Sequence, residues 1–462
     1  MSLQQAIPHD TIGSDGPWKY LPVLNECIKI LLTVAIGMVM GYLEIFQANT
    51  FVPHATKFVF YVALPLLVVR GLGIGINFYD DSFLWNFIGA FLILRVIALL
   101  VSFGIVFRVK IGGQRGIAEV AVMWLTLSWI STVILGVPIS GAVFGSPDKG
   151  KTYGILAGIS SFIFQLPVQL LFLECHLLEK EYFESKETSN RTDVEQAIIE
   201  HADGKEKNWS NVEKSSPSME FDEPTSNESK LEDLYRKPTD EMLPGAASNK
   251  GEPEVTTLQT GNLKESSIQD ESTTPLMLWF QFAKKREVWK KILIQLVRNP
   301  VLWGIAGGFF LSLTKLGPRY LDPNSHDVVP GLAWFASTCD WFGACVSPLS
   351  LFAMGVWMQS QGKQVFKSSL FSAPLCMLSK LVVVPFLMVG LAKAVNLDNE
   401  QGRAAVLIAA LPISMASFSL GSRYKIGEAL LSQNVALGTA LVLPSVLIWI
   451  VVMDEVDLFL VG

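Results

Sequence analysis

About ten stretches of this 462-residue chain are each apolar for some twenty residues, long enough to cross a hydrocarbon core of about 30 Å. Inside lipid each backbone N–H and C=O must find its partner within the segment, so stretches of this length read as helices. They fall at roughly 22–44, 54–76, 84–108, 116–144 and 152–178, and again at roughly 288–315, 332–359, 368–394, 402–421 and 427–453. The predicted fold class is therefore an all-α integral membrane protein of ten transmembrane helices. Composition agrees: 50% of residues are hydrophobic and 17% charged, against about 25% charged in a soluble domain. A basic surface for nucleic acid is missing, and no glycine-rich phosphate loop follows a predicted strand. No metal-ligand spacing, cofactor motif or catalytic constellation is visible, so an enzyme is not expected. The five cysteines, Cys27, Cys175, Cys339, Cys345 and Cys376, lie in or beside apolar segments and read as packing residues.

The apolar stretches come in two groups of five, separated by a polar interval. The expected domains are an extracytoplasmic tail (1–21), a first five-helix repeat (22–178), a disordered linker (179–287), a second repeat (288–453) and a short tail (454–462). The first 21 residues lack an apolar core before a cleavage site, so no removable leader is expected. Lys180, Lys186, Lys284, Lys285, Arg286, Lys290 and Lys291 flank the linker and place it in the cytoplasm. Ser215, Ser216, Ser218 and Thr225 make the linker a candidate kinase target, as any serine-rich disordered loop would be. The net charge of −6 reports this interval rather than the membrane part.

Both groups carry the same punctuation in the same order. Pro138 and Ser140 in "LGVPIS" answer Pro412 and Ser414 in "AALPIS"; Pro167 answers Pro444, Pro65 answers Pro348, and the mid-segment cations Arg95 and Lys380 answer each other. Five is an odd number, so the second group enters the membrane from the opposite side and the repeat is inverted, a plan common among secondary transporters. Proline removes a helical hydrogen bond and clashes with the preceding turn. Segments four and nine are thus expected to break near Pro138 and Pro412 and to cross at mid-membrane. The half-helix N-termini left there, with unpaired N–H groups, suit an anion such as a carboxylate. Arg95 and Lys380 each cost roughly 3 kcal/mol at the bilayer centre, so each needs a polar partner, Asn299 or Gln165 being candidates, or a wet cavity. Glu26, Glu119 and Asp340 read as lying near segment ends, which leaves no mid-membrane carboxylate pair for a cation antiporter. Trp124, Trp129, Trp334, Trp341 and Trp357 could flank an aromatic solute, although tryptophan commonly marks membrane interfaces.

The segments "TKFVFYVALPLL", "LVRNPVLWGIAGG" and "AALPISMASFSLGSRYKIG", with the "LP" of the last helix, resemble the auxin efflux carrier family, PIN-type members above all. The resemblance spans both membrane groups and the position of the linker. It implies crossed fourth and ninth helices, a mobile part moving on a scaffold, and elevator-type export of indole-3-acetate by a homodimer, in the plasma membrane rather than the endoplasmic reticulum. By the family pattern, the substrate site takes in Ser131, Thr132, Pro138, Ser140, Asn299, Pro412 and Ser414, supported by Arg95, Lys380, Pro65 and Pro300. Ser131 and Val301 stand where PIN-type carriers have Asn, which puts a different hold on the solute within reach. Two further readings stay open: a dicarboxylate (malate-like) permease of the same family, and a membrane sensor that signals through the linker.

Overall fold

The computed structural model describes residues 20–76, 83–108, 117–182, 283–323, 325–362, 372–456 and 458–459, together with 185 and 188. The kinase-candidate positions and nearly all of the linker lie outside these residues, as does the N-terminal tail up to residue 19. The described residues up to 181 and from 283 onward belong to one compact unit.

Among the described residues the elements are helical, with one isolated backbone bridge. In chain order they are α1 (Leu21–Tyr42), α2 (Ala48–Ile74), α3 (Phe83–Arg108), α4 (Ile117–Ser128), α5 (Gly136–Val143) and α6 (Pro147–Tyr182). The second group comprises α7 (Arg286–Val297), α8 (Pro300–Leu313), α9 (Ala333–Gln361), α10 (Ser372–Ala394), α11 (Asn399–Ala409), α12 (Met415–Arg423), α13 (Glu428–Ala440) and α14 (Val442–Glu455). Six of these, α1, α2, α3, α6, α9 and α10, are long and apolar enough to cross a membrane unaided; counting the bent pairs α7–α8 (64°) and α13–α14 (60°) as single spans makes eight. The chain is an all-α membrane protein.

Side chains and local sequence explain where the helices start. Ser146, Asn299, Asp398 and Ser414 cap α6, α8, α11 and α12 by accepting from the backbone N–H of Lys149, Val301, Gln401 and Ala416. Pro147 and Pro300 follow two of these caps at the first helical position, where a missing N–H is harmless. Asn299 and Pro300 therefore build the α7–α8 bend. Pro65 lies inside α2 between two π-helical turns, 59–63 and 69–74. Pro167 leaves α6 unbroken as a span, and the α13–α14 bend falls at Leu441, ahead of Pro444.

Exposure is arranged for lipid. α1, α3 and α10 present large apolar side chains outward, Leu32, Leu100 and Phe386 among them, whereas Ala404–Leu411 at the end of α11 is completely covered. Glycines let the buried helices approach closely. A Cβ on Gly37 or Gly355 would strike the facing backbone where α1 meets α9. On α6, Gly150, Gly154 and Gly158 repeat every four residues and bring that helix against α5 and residues 132–137. The cysteines match the packing expectation only in part: Cys27, Cys175 and Cys339 are buried, but Cys345 is exposed.

Candidate functional site

Two helices are interrupted at the centre of the bundle. α4 stops at Ser128 and α5 begins at Gly136; α11 stops at Ala409 and α12 begins at Met415. The intervening stretches meet side by side. Ile130 bridges Ile413 in antiparallel fashion, with the Ser131 N–H donating to the Pro412 carbonyl at 3.0 Å and the Ser414 N–H to the Trp129 carbonyl at 2.9 Å. This pairing satisfies backbone groups that no helix satisfies, in a place where lipid could not. The Ser131 carbonyl takes the N–H groups of Leu135 and Gly136, and the Ser414 carbonyl takes the N–H and hydroxyl of Ser417, so each stretch turns directly into a helix start.

A cavity of about 40 Å³ lies at this crossing, bordered by Ser131, Thr132, Ser161, Ser414, Phe60 and Leu64. It admits a few waters rather than an organic acid. Larger spaces lie on either side. One, of about 910 Å³, is lined by Lys57, Trp357, Gln361, Phe418, Ser419 and Arg423 among others; the other, of about 660 Å³, by Glu26, Lys29, Val137, Pro138, Lys151 and Asp340 among others. Their order along α2 fixes the sequence of spaces. Leu67 lines the smaller chamber, Leu64 the crossing, Phe60 both the crossing and a neighbouring cavity of about 20 Å³, and Lys57 the larger vestibule. Two chambers thus face each other across a closed crossing.

Several expected site residues fall elsewhere. Pro138 is inside α5 and lines the smaller chamber, because the first interruption comes before it, at 129–135. Asn299 caps α8 and borders none of these cavities, and Ser140 is fully buried in α5, its hydroxyl without a partner among the described residues. Arg95 is fully buried and donates to the carbonyls of Phe91 (3.2 Å) and Ala157 (3.3 Å) and to the Ser161 hydroxyl. Neither Asn299 nor Gln165 partners it; Gln165 instead donates to the Ser128 hydroxyl at the end of α4. Arg95 therefore stands behind the crossing and holds Ser161, which touches the cavity. Lys380 is also fully buried, and its ammonium has no hydrogen-bond partner among the described residues. The tryptophans divide: Trp124, Trp129 and Trp357 are buried, Trp334 and Trp341 exposed.

The sequence of a known family of membrane transport proteins matches residues 22–450, a range that contains both interruptions and both chambers. The chain belongs to that family. It is 22% identical over 443 residues to auxin efflux carrier component 8 of Arabidopsis thaliana, a likeness covering 93% of this chain and 98% of that relative. The resemblance read from the motifs is thereby shown, and the chain is a membrane transport protein with a small-molecule substrate.

Three charged residues that the sequence did not bring together also belong to this region. Arg70, Lys151 and Asp340, from α2, α6 and α9, form one ion cluster beside the smaller chamber. Arg70 lies within an apolar span, and that isolated charge was the available signal. The Gly150–Gly154–Gly158 spacing was likewise legible as a close-packing stripe.

Proposed function

We propose that this protein is a secondary transporter that exports a small organic anion, with indole-3-acetate the favoured substrate, by alternating access of elevator type. The carrying observation is the closed crossing between two chambers, which lie toward opposite ends of α2. In this reading the ten segments form two inverted five-helix repeats, and α4–α5 and α11–α12 are the broken fourth and ninth helices. The solute carboxylate meets Ser131, Thr132, Ser414 and the helix starts beside them, with Arg95 and Lys380 supplying positive potential from behind. Motion of the crossing past α2 and α9 opens it first to one chamber, then to the other.

The larger vestibule favours an aromatic anion over malate. Trp357 and Phe418 pair there with ring centroids 4.4 Å apart, and Lys57 and Arg423 share the wall. The basic flanks of the linker set this vestibule toward the cytoplasm of a plasma-membrane protein. An inside-negative potential then drives anion export by roughly 2.3 kcal/mol per charge per 100 mV without a co-ion. Association as a homodimer and phosphorylation of the linker complete the reading.

The test is efflux of radiolabelled indole-3-acetate from proteoliposomes under an imposed potential, with malate in parallel. Saturable auxin efflux that rises with the potential is expected. Malate flux without auxin flux would assign the dicarboxylate reading, and binding without flux of either would assign the sensor.

A further inference from the structure

The chamber on the α6-start side of the crossing is bordered by Asp340 and Lys151, two members of an ion cluster that Arg70 completes from behind. Asp340 is held by two cations, one on each oxygen: Arg70 Nε donates to Oδ2 at 2.9 Å and Lys151 Nζ to Oδ1 at 2.9 Å. Arg70 comes from α2, Lys151 from α6 and Asp340 from α9, so three helices converge on a single carboxylate. The Arg70 side chain is 11% exposed, whereas the Asp340 side chain is 35% exposed and lines the chamber together with Lys151. Lys151 also reaches Asp148 at 3.3 Å, but that side chain is 74% exposed and screened by water. The other charged pair in the wall, Glu26 with Lys29 at 2.6 Å, is self-contained.

A carboxylate bridging two cations from different helices has the geometry with which proteins hold the carboxylate of a solute. Here the carboxylate is tethered, and it is the more exposed partner. The chamber of about 660 Å³ has room for a small organic acid beside it, with Leu67, Pro138 and Leu351 offering apolar contact. Arg70 is too deeply buried to be left bare, because an unpaired buried charge is strongly unfavourable. Trading one carboxylate for another avoids that state, and the incoming anion offsets the single positive charge left over by Arg70, Lys151 and Asp340 together.

We propose that Arg70 and Lys151 form a second carboxylate site on this side of the crossing, which Asp340 occupies from within the chain until a departing organic anion takes its place. The inference rests on the organic-anion reading above and extends it to the release step. Because Lys151 and Asp340 sit on α6 and α9, the exchange also unties two helices that the internal ion pair holds together.

The first test titrates indole-3-acetate into the full chain in lipid nanodiscs, comparing the natural protein with Asp340→Asn. The variant is expected to take up one further equivalent of the anion, or to bind it about tenfold more tightly, the size of a lost charged hydrogen-bond competitor. Adding Lys151→Gln to that variant should abolish the gain. Unchanged stoichiometry and affinity in a folded Asp340→Asn protein would overturn the proposal.

The single variant Lys151→Gln keeps the Arg70–Asp340 pair and serves if Asp340→Asn does not fold. In proteoliposomes of fixed orientation its half-saturating anion concentration should rise about tenfold from the face bearing this chamber and stay unchanged from the other face. An equal change from both faces would mark a merely structural ion pair and sink the second site. If the natural chain neither binds nor moves the anion, the transport reading falls and takes this one with it. Flux by the natural chain without the sided effect removes the second site alone.

Discussion

In the first half of the chain the helix is interrupted over residues 129–135, none of them proline; in the second half the interruption spans 410–414 and contains Pro412. The two stretches nevertheless pair with each other in one bridge and two backbone hydrogen bonds. The second break is local in origin, since proline denies its helix a hydrogen bond. The first is imposed from outside, by the pairing itself and by α6, whose Gly154 lies where a Cβ would come within 2.9 Å of the Thr132 carbonyl and 3.1 Å of the Val137 nitrogen. The cations differ in the same sense: Arg95 is tied to three oxygens, while Lys380 is tied to none among the described residues. The two interruptions thus carry unequal physical burdens.

The comparison can be broken at its strongest point by Gly154→Leu. If tertiary packing holds the first break, the added side chain should lower stability by about 3 kcal/mol, the upper range for overpacking a buried contact. Thermal unfolding in detergent reads this out, and an unchanged melting temperature would show that the break does not depend on α6. Next in size is the contrast between the cations. Arg95→Met strips three acceptors of their donor and should cost about 2 kcal/mol, whereas Lys380→Met removes an unpartnered buried charge and should be neutral or stabilising. Equal losses in the two variants would mean that Lys380 has a structural partner after all.

The prolines sharpen the comparison further. Pro412→Ala frees α11 to continue and should cut anion flux roughly tenfold, since interior proline opposes a helix by about 3 kcal/mol. Pro138→Ala, inside α5, should leave flux within about twofold. Flux assays in proteoliposomes decide between them, and a larger effect at Pro138 would return the first break to its proline. The smallest effect concerns the capping hydroxyl: Ser414→Ala should lower stability by about 1 kcal/mol. Ser131→Ala, whose hydroxyl borders the cavity without capping a helix, should alter flux more than melting temperature.

Why some of the site was legible and some was not follows from these cases. Pro412 and Ser414 acted on their own neighbours, so the sequence located the second break to within a few residues. Pro138 misled because proline is tolerated in the first turn of a helix, and α5 begins only two residues earlier. Asn299 matched a family position but serves as a cap, a use that its neighbour Pro300 also announces. Asp340 looked like a residue near a segment end, yet α9 carries it to Arg70, 270 positions away in sequence, and to Lys151, 189 positions away.

By itself the sequence determined that this chain lives in a membrane as helices, because apolar length and the demand for internal hydrogen bonding leave no other solution. It also determined the polar interval and the family. Only the tertiary structure decided where the first helix breaks, which cation is held, and which charges meet beside the chamber. Those outcomes depend on groups from separate helices competing for the same buried partners, and separation along the chain does not encode that competition.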